Sequence, residues 1–225
     1  MRRFTHILSI ALITAGVVLI AEVAITLAYK EPLSSLYGSI KQAEAESQLN
    51  DLEAAFPTPA DKQAVERVKN PKRRIGILAH RFAETAQTGK AIGRIEAPDM
   101  DGLNAIVVQG TDTSTLEKGP GHYPDTPFPG QGGTVGIAGH RTTYLAPFRH
   151  IDSMKAGDPI ILKMPYATFE YRVEKTEVVD DSEVSVVKGV GYERLVLSAC
   201  HPLYSADQRY IVFAKAVRES LAGGV

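Results

Sequence analysis

The chain has 225 residues, a formal net charge of −1 and no concentrated run of basic residues, so nucleic-acid binding has no electrostatic support. A single cysteine excludes an intrachain disulfide, and the fold must stand on its own hydrophobic core. Nineteen glycines, thirteen prolines, no tryptophan and frequent Val and Ile indicate a turn-rich, mainly β domain.

Arg2 and Arg3 precede Ile7–Tyr29, 23 residues that are apolar apart from small hydroxyl side chains and Glu22. About 20 apolar residues span a bilayer as a helix, so residues 1–30 read as a cytoplasmic tip and a transmembrane anchor. A cleaved signal peptide is the alternative. Its apolar region is usually shorter, and the nearest A-x-A pattern, Ala43-Glu44-Ala45, lies well beyond the run. The arginines orient the N-terminus toward the cytoplasm and the rest of the chain outside the cell. Residues 31–90 follow as a stalk or linker. Leu33, Leu36, Tyr37, Ile40, Leu49 and Leu52 keep near one helical face up to Pro57-Thr58-Pro59, although a partly disordered linker fits the same polar composition. A second helix is expected over Arg74–Ala86, where Ile75, Leu78, Ala79 and Phe82 share a face.

From Ala91 the pattern changes to short β segments between turn signals. The expected strands are Ala91–Ile95, Asn104–Gln109, Gly133–Ala138, Pro159–Lys163, Thr168–Val179, Arg194–Cys200 and Arg209–Val217. Short helices are expected over Thr113–Glu117 and Ala146–Ile151. The connection from Gly119 to Gly133 is long and rich in Gly and Pro, which in a compact domain often marks function. Residues 91–218 thus form one β-barrel-like domain, and residues 219–225 a C-terminal tail.

Cys200 ends the apolar run Leu195–Ala199 and is followed by His201-Pro202 and, nine positions on, Arg209. Pairing the last two strands across the loop His201–Gln208 would make Cys200 and Arg209 cross-strand neighbours, with Cβ atoms roughly 5 Å apart. A guanidinium beside a thiol favours the nucleophilic thiolate and can donate to an oxyanion, an arrangement suited to acyl transfer. Such chemistry also needs an acid to protonate the leaving amine. Spacing does not choose among the six histidines, but His140 stands at a strand end after Gly139, where a cleft rim is expected. His201 directly follows the cysteine, so in extended chain its side chain points away from it.

The pieces Ile137-Ala138-Gly139-His140-Arg141, Leu197-Ser198-Ala199-Cys200-His201-Pro202 and Arg209-Tyr210-Ile211-Val212 resemble those of sortases, the membrane-anchored cysteine transpeptidases of Gram-positive bacteria. Gly119-Pro120-Gly121-His122-Tyr123-Pro124 and Pro129-Gly130-Gln131-Gly132-Gly133 are similar to the class E type of actinobacteria. The resemblance implies a mainly β fold: an eight-stranded sortase-type β-barrel with short helices, after an N-terminal transmembrane helix and helical stalk. It implies Cys200 as nucleophile, His140 as general acid/base and Arg209 as oxyanion and substrate-positioning residue. The expected substrates are secreted proteins with a C-terminal LPXTG- or LAXTG-like sorting signal. They would be cut after Thr, held as a thioacyl-enzyme and passed to a peptidoglycan precursor or cross-bridge amine. Tyr123 falls where class E carries a tyrosine thought to influence the second signal position; Thr142, Ser198 and Ala199 are further candidates for substrate contact. One departure stands out: Val196-Leu197-Ser198-Ala199 replaces the Thr-Leu-x-Thr that many sortases carry before the cysteine, so the hydroxyl usual there is absent.

Competing readings are set by ordinary structural habits. A lone cysteine is commonly a small buried apolar residue. Arg209 could pair with Asp207 or Asp181 at the surface, and Thr142 and Thr143 could cap a turn. No cofactor is expected and no metal site; Asp180, Asp181 and Glu183 read as solvated loop charges rather than a calcium site. An L,D-transpeptidase-like acyltransferase is disfavoured because Ser198-Ala199 replaces the His-Gly typical before that cysteine. A non-catalytic domain binding cell-wall protein tails is the third reading.

Overall fold

The computed structural model describes residues 2–28 and 32–223. Tyr29 at the end of the expected span, the side chain of Leu33, and residues 224–225 of the expected tail lie outside them. Four helices come first: α1 (Arg2–Ala28), α2 (Pro32–Ala55), α3 (Pro59–Glu66) and α4 (Pro71–Ala83). Arg3–Ala24 of α1 is long and apolar enough to cross a membrane. The stalk segment is helical, and Pro57 ends it as expected. The unanticipated α3 has a local cause. Thr58 and Asp61 form a reciprocal capping box with Pro59 at the first helical position. Asn70 caps α4 by accepting from Arg73 N, with Pro71 at the first helical position, which starts the helix at Pro71 instead of Arg74.

Eight strands close a barrel: β1 (Ala91–Ala97), β2 (Leu103–Gln109), β3 (Gly121–His122), β4 (Thr134–Ala138), β5 (Pro159–Met164), β6 (Ala167–Asp180), β7 (Arg194–His201) and β8 (Gln208–Leu221), in spatial order β1-β2-β3-β4-β7-β8-β6-β5. Seven were expected, with no end more than four residues off. The eighth, β3, lies inside the Gly/Pro-rich connection. A short helix, α5 (Thr113–Leu116), follows β2 behind its Asp112 cap. The helix expected over Ala146–Ile151 is absent. Tyr144, Leu145 and Ala146 adopt left-handed φ values of 49°, 67° and 46°, and only a 3-10 turn forms at Ile151–Ser153. Left-handed backbone at three successive non-glycine residues cannot continue into a right-handed helix.

Alternation decides which side chains fill the barrel. Ile160, Leu162 and Met164 of β5 and Ala167, Phe169, Tyr171 and Val173 of β6 point inward. β7 breaks the alternation because both of its faces are covered. Leu195, Leu197 and Ala199 join the interior, while Val196 packs outside with Ile211 and Phe213 under Val186 and Val187. Helix α4 packs Ile75, Leu78, Ala79 and Phe82 onto the main core. Helix α2 lays Ala45 and Leu49 on Ala91, Ile106 and Val108 of β1 and β2.

Candidate active site

Three neighbouring strands bring the candidate residues together. β7 runs parallel to β4, with Ala138 opposite Ser198, and antiparallel to β8, with Cys200 opposite Arg209. Cys200 and Arg209 are therefore the cross-strand pair that the hairpin spacing anticipated. Gly139 N donates to Ser198 O at 3.0 Å and carries the β4 register one residue beyond the strand. The next residue, His140, follows in the turn just beyond the strand, behind the cleft wall that Ala138 and Gly139 form. Thiol and guanidinium thus stand side by side at one rim of the barrel, with the turn that carries His140 leaving the neighbouring strand β4.

A cleft of about 200 Å³ opens at this rim. Cys200, Arg209, Ser198, Ala199 and Tyr123 line it, as do Thr111 and Leu116, which no motif singled out; His140 is not among the lining residues. Thr142 does not line it and sits on the turn after His140. Recesses of about 270 and 500 Å³ elsewhere contain neither Cys200 nor Arg209, so chemistry and not volume marks this site. Cys200 is a half-buried free cysteine. Arg209 Nη1 donates to Ala206 O at 2.7 Å and Gln208 O at 2.9 Å, and among the described residues it forms no ion pair with Asp207 or Asp181. Those two bonds fix the guanidinium and leave the remaining N–H donors for a ligand.

His140 is half-buried, and its Nε2 is enclosed with no hydrogen-bond partner among the described residues. Burial lowers its pKa, and the charge of Glu117 opposes that shift. Tyr144 connects the two: its ring lies 5.4 Å from the imidazole, and its hydroxyl donates to Glu117 at 3.1 Å. Gly139 is required by packing, since a Cβ there would come within 2.6 Å of the Phe148 ring. Phe148 N donates to His140 O at 2.9 Å and closes the turn.

Arg141, unmarked by the sequence, is the buried brace of the site. Its Nη2 pairs with Asp152 at 2.7 Å, and its Nη1 donates to Cys200 O and His201 Nδ1, each at 3.3 Å. Two further bonds reach Arg149 O. A buried guanidinium is tolerated only when paired and hydrogen-bonded in this way, and the pairing locks the His140 loop to the Cys200 backbone. His201 accepts from Arg141 and packs against Tyr210, so its role here is to order the loop.

The Sortase domain family model matches residues 95–217. Sortase D of Bacillus subtilis is 36% identical over 135 residues, covering 58% of this chain and 66% of that protein. Sortase SrtE1 of Streptomyces coelicolor is 30% identical over 149 residues, covering 59% of this chain and 42% of that protein. The chain thus spans less than two thirds of the length of either relative. The crystal structure of sortase E1 from Streptomyces coelicolor with a tripeptide in its active site superposes with a TM-score of 0.56 at 28% identity. That match covers 60% of this chain and 94% of the solved one.

Proposed function

Because the chain belongs to the sortase family, we propose that it is a membrane-anchored cysteine transpeptidase acting on LPXTG- or LAXTG-like sorting signals. The observation that carries the proposal is the Cys200–Arg209 pair on β7 and β8, which lines the cleft, with His140 in the turn that follows the adjacent strand β4. Cys200 Sγ attacks the carbonyl carbon of the signal Thr, forming a C–S bond and an oxyanion. The free N–H donors of Arg209 stabilise that charge, a contribution worth about 3–4 kcal/mol in comparable sites. His140 accepts the thiol proton and delivers it to the departing Gly nitrogen as the C–N bond breaks. An acceptor amine then attacks the thioester and gives up its proton to His140. The new C–N bond forms and Cys200 is released. Burial supports the base role, because it holds the imidazole neutral and ready to accept a proton.

Tyr123 on the cleft wall is proposed to read the second signal position, and Ser198 and Ala199 to line the bound signal. Residues 91–218 form the catalytic unit, carried outside the cell by the anchor and stalk, with the N-terminus in the cytoplasm. The proposed partners are secreted proteins bearing the signal and a peptidoglycan precursor or cross-bridge amine.

The test uses fluorogenic LPXTG and LAXTG peptides with an amine acceptor, followed by intact-mass detection of a thioester at Cys200. Wild type forms the adduct and the amide product, and Cys200→Ala forms neither while remaining folded. A folded wild type that forms no adduct with either peptide overturns the proposal, as does turnover by Cys200→Ala.

A further inference from the structure

Helix α2 has two faces of different kinds. Toward the barrel point Gly38, Gln42, Ala45 and Leu49. Gln42 clamps β2: its amide nitrogen donates to Ile106 O and Lys118 O, and its Oε1 accepts from Ile106 N at 2.8 Å. At 100° per residue, the opposite face carries Leu36, Ile40 and Ala43. Leu36 is 63% exposed and Ile40 52%. The next positions along that outward line are Ser47, Asn50 and Asp51. The outer face is therefore apolar from Leu36 to Ala43, within the first half of the helix, and polar over the Ser47–Asp51 stretch that follows.

The apolar turns are the ones nearest the anchor. Helix α1 has 27 residues, a rise of about 40 Å, which matches a bilayer including its headgroups. Its last residue, Ala28, precedes Leu36 by eight positions, and eight residues reach no more than about 28 Å even when extended. We propose that Leu36, Ile40 and Ala43 lie in the headgroup–acyl boundary of the membrane, so that the first half of α2 rests along the lipid surface. The inference rests on reading α1 as a retained membrane span. Apolar side chains of a helix lying in the interface bury about 5–10 Å into that boundary, while here the opposite face of α2 is held by the barrel.

The consequence reaches the active site. The same turns of α2 hold the loop after His140: Ser34 Oγ accepts from Tyr144 N at 3.1 Å, and the Tyr37 and Tyr144 rings meet edge-on at 6.1 Å. Gly38 allows the contact, since a Cβ there would come 3.0 Å from the carbonyl carbon of Tyr144. A helix with its side chains is about 10–12 Å across, so lipid contact on the outer face sets the His140 rim one helix diameter from the bilayer. The cleft then has a fixed height and does not ride on a free tether.

The chain contains no tryptophan, so one introduced indole reports alone. Full-length Leu36→Trp, Ile40→Trp and Val217→Trp proteins are reconstituted in vesicles of phosphatidylcholine and phosphatidylglycerol, with and without brominated acyl chains. Val217 is exposed and lies about 27 Å along β8 from Arg209, at the far end of the barrel. The expected result is blue-shifted emission and several-fold stronger bromine quenching for the first two probes than for the third. Vesicle flotation and resistance to alkaline extraction are measured on the same samples. A chain that floats and resists extraction, with all three probes equally unquenched, overturns the inference and leaves the anchor intact. Blue-shifted but unquenched probes, together with cross-linked dimers, assign the stripe to a second copy and overturn it as well. A chain that fails to float removes the anchor and the inference together.

Discussion

Acidification should destabilise this protein through one buried histidine next to the cleft. His122 on β3 is 1% exposed. Its Nδ1 lies 2.9 Å from Gln109 Oε1, its Nε2 3.2 Å from Pro127 O and from Thr126 Oγ1, and its ring stacks on Phe128 at 4.6 Å. Burial pushes its pKa from 6.5 down to about 4, against the opposing hydrogen bond to the Pro127 carbonyl. Between those values the unfolded chain binds more protons than the folded one, so stability rises with pH. The contribution is fully present above about 6.5 and is lost as pH falls toward 4. A difference of about 2.5 units at 1.36 kcal/mol each makes it roughly 3 kcal/mol. The assay is urea unfolding of the full chain in detergent micelles, wild type against His122→Gln, at a series of pH values between neutral and 4. The variant carries a pH-independent offset of its own; the informative quantity is the slope. Wild type should lose about 3 kcal/mol more than the variant across the window. Equal acid slopes refute the reasoning. Because Tyr123 is the next residue, the cleft wall should loosen over the same range.

Arg209→Ala should lower turnover of a sorting peptide about 10²–10³-fold, and Arg209→Lys should recover only part of it, because an ammonium lacks the planar fork. Equal rates for all three forms remove Arg209 from the chemistry. Glu117→Gln should lower the His140 pKa further, since the carboxylate is what opposes the effect of burial. An NMR titration of the His140 Cε1–H reads it directly, and an unchanged or raised value refutes the coupling. Gly139→Ala should cost about 1–3 kcal/mol through overlap with the Phe148 ring, measured by thermal unfolding. A neutral change would show that the ring moves freely.

What was legible in the sequence is what depends on neighbours close along the chain. The register of the last hairpin follows from two apolar strands and one loop, and it placed Cys200 opposite Arg209 correctly. His140 was singled out by its strand-end position and by the sortase resemblance, since periodicity does not reveal which strand runs beside β7. β3 was missed because Gly121 and His122 carry no period; both of its pairings, parallel to β2 and antiparallel to β4, are set by distant partners. Arg141 and Glu117 were invisible for the same reason. Asp152 and Cys200 O meet Arg141 only in the folded chain, and Glu117 reaches His140 through Tyr144. The α3 helix, by contrast, carried a readable signal in Thr58-x-x-Asp61. The helix expected over Ala146–Ile151 failed because tertiary contacts, including the Ser34 hydroxyl on α2, hold Tyr144 in a left-handed turn at a cost of about 1–2 kcal/mol per residue.

That strained turn and β7 together account for how a single thiol is held still and yet kept reachable. Six consecutive residues of β7, Arg194–Ala199, are buried, and Cys200 is the first that is not. Its backbone inherits the rigidity of a strand covered on both faces, while its side chain meets the cleft. Arg141 extends that rigidity beyond the core by bonding Cys200 O from the loop that carries His140. The imidazole loop is thus fastened at one end to β7 and at the other to α2, through Tyr144. A nucleophile on a frayed strand end would lose the alignment that acyl transfer demands, and a side chain one residue earlier would extend into the core that Ala199 joins. The position of Cys200 at this boundary satisfies both requirements, and helix α2 is the outermost member of the frame that keeps it there.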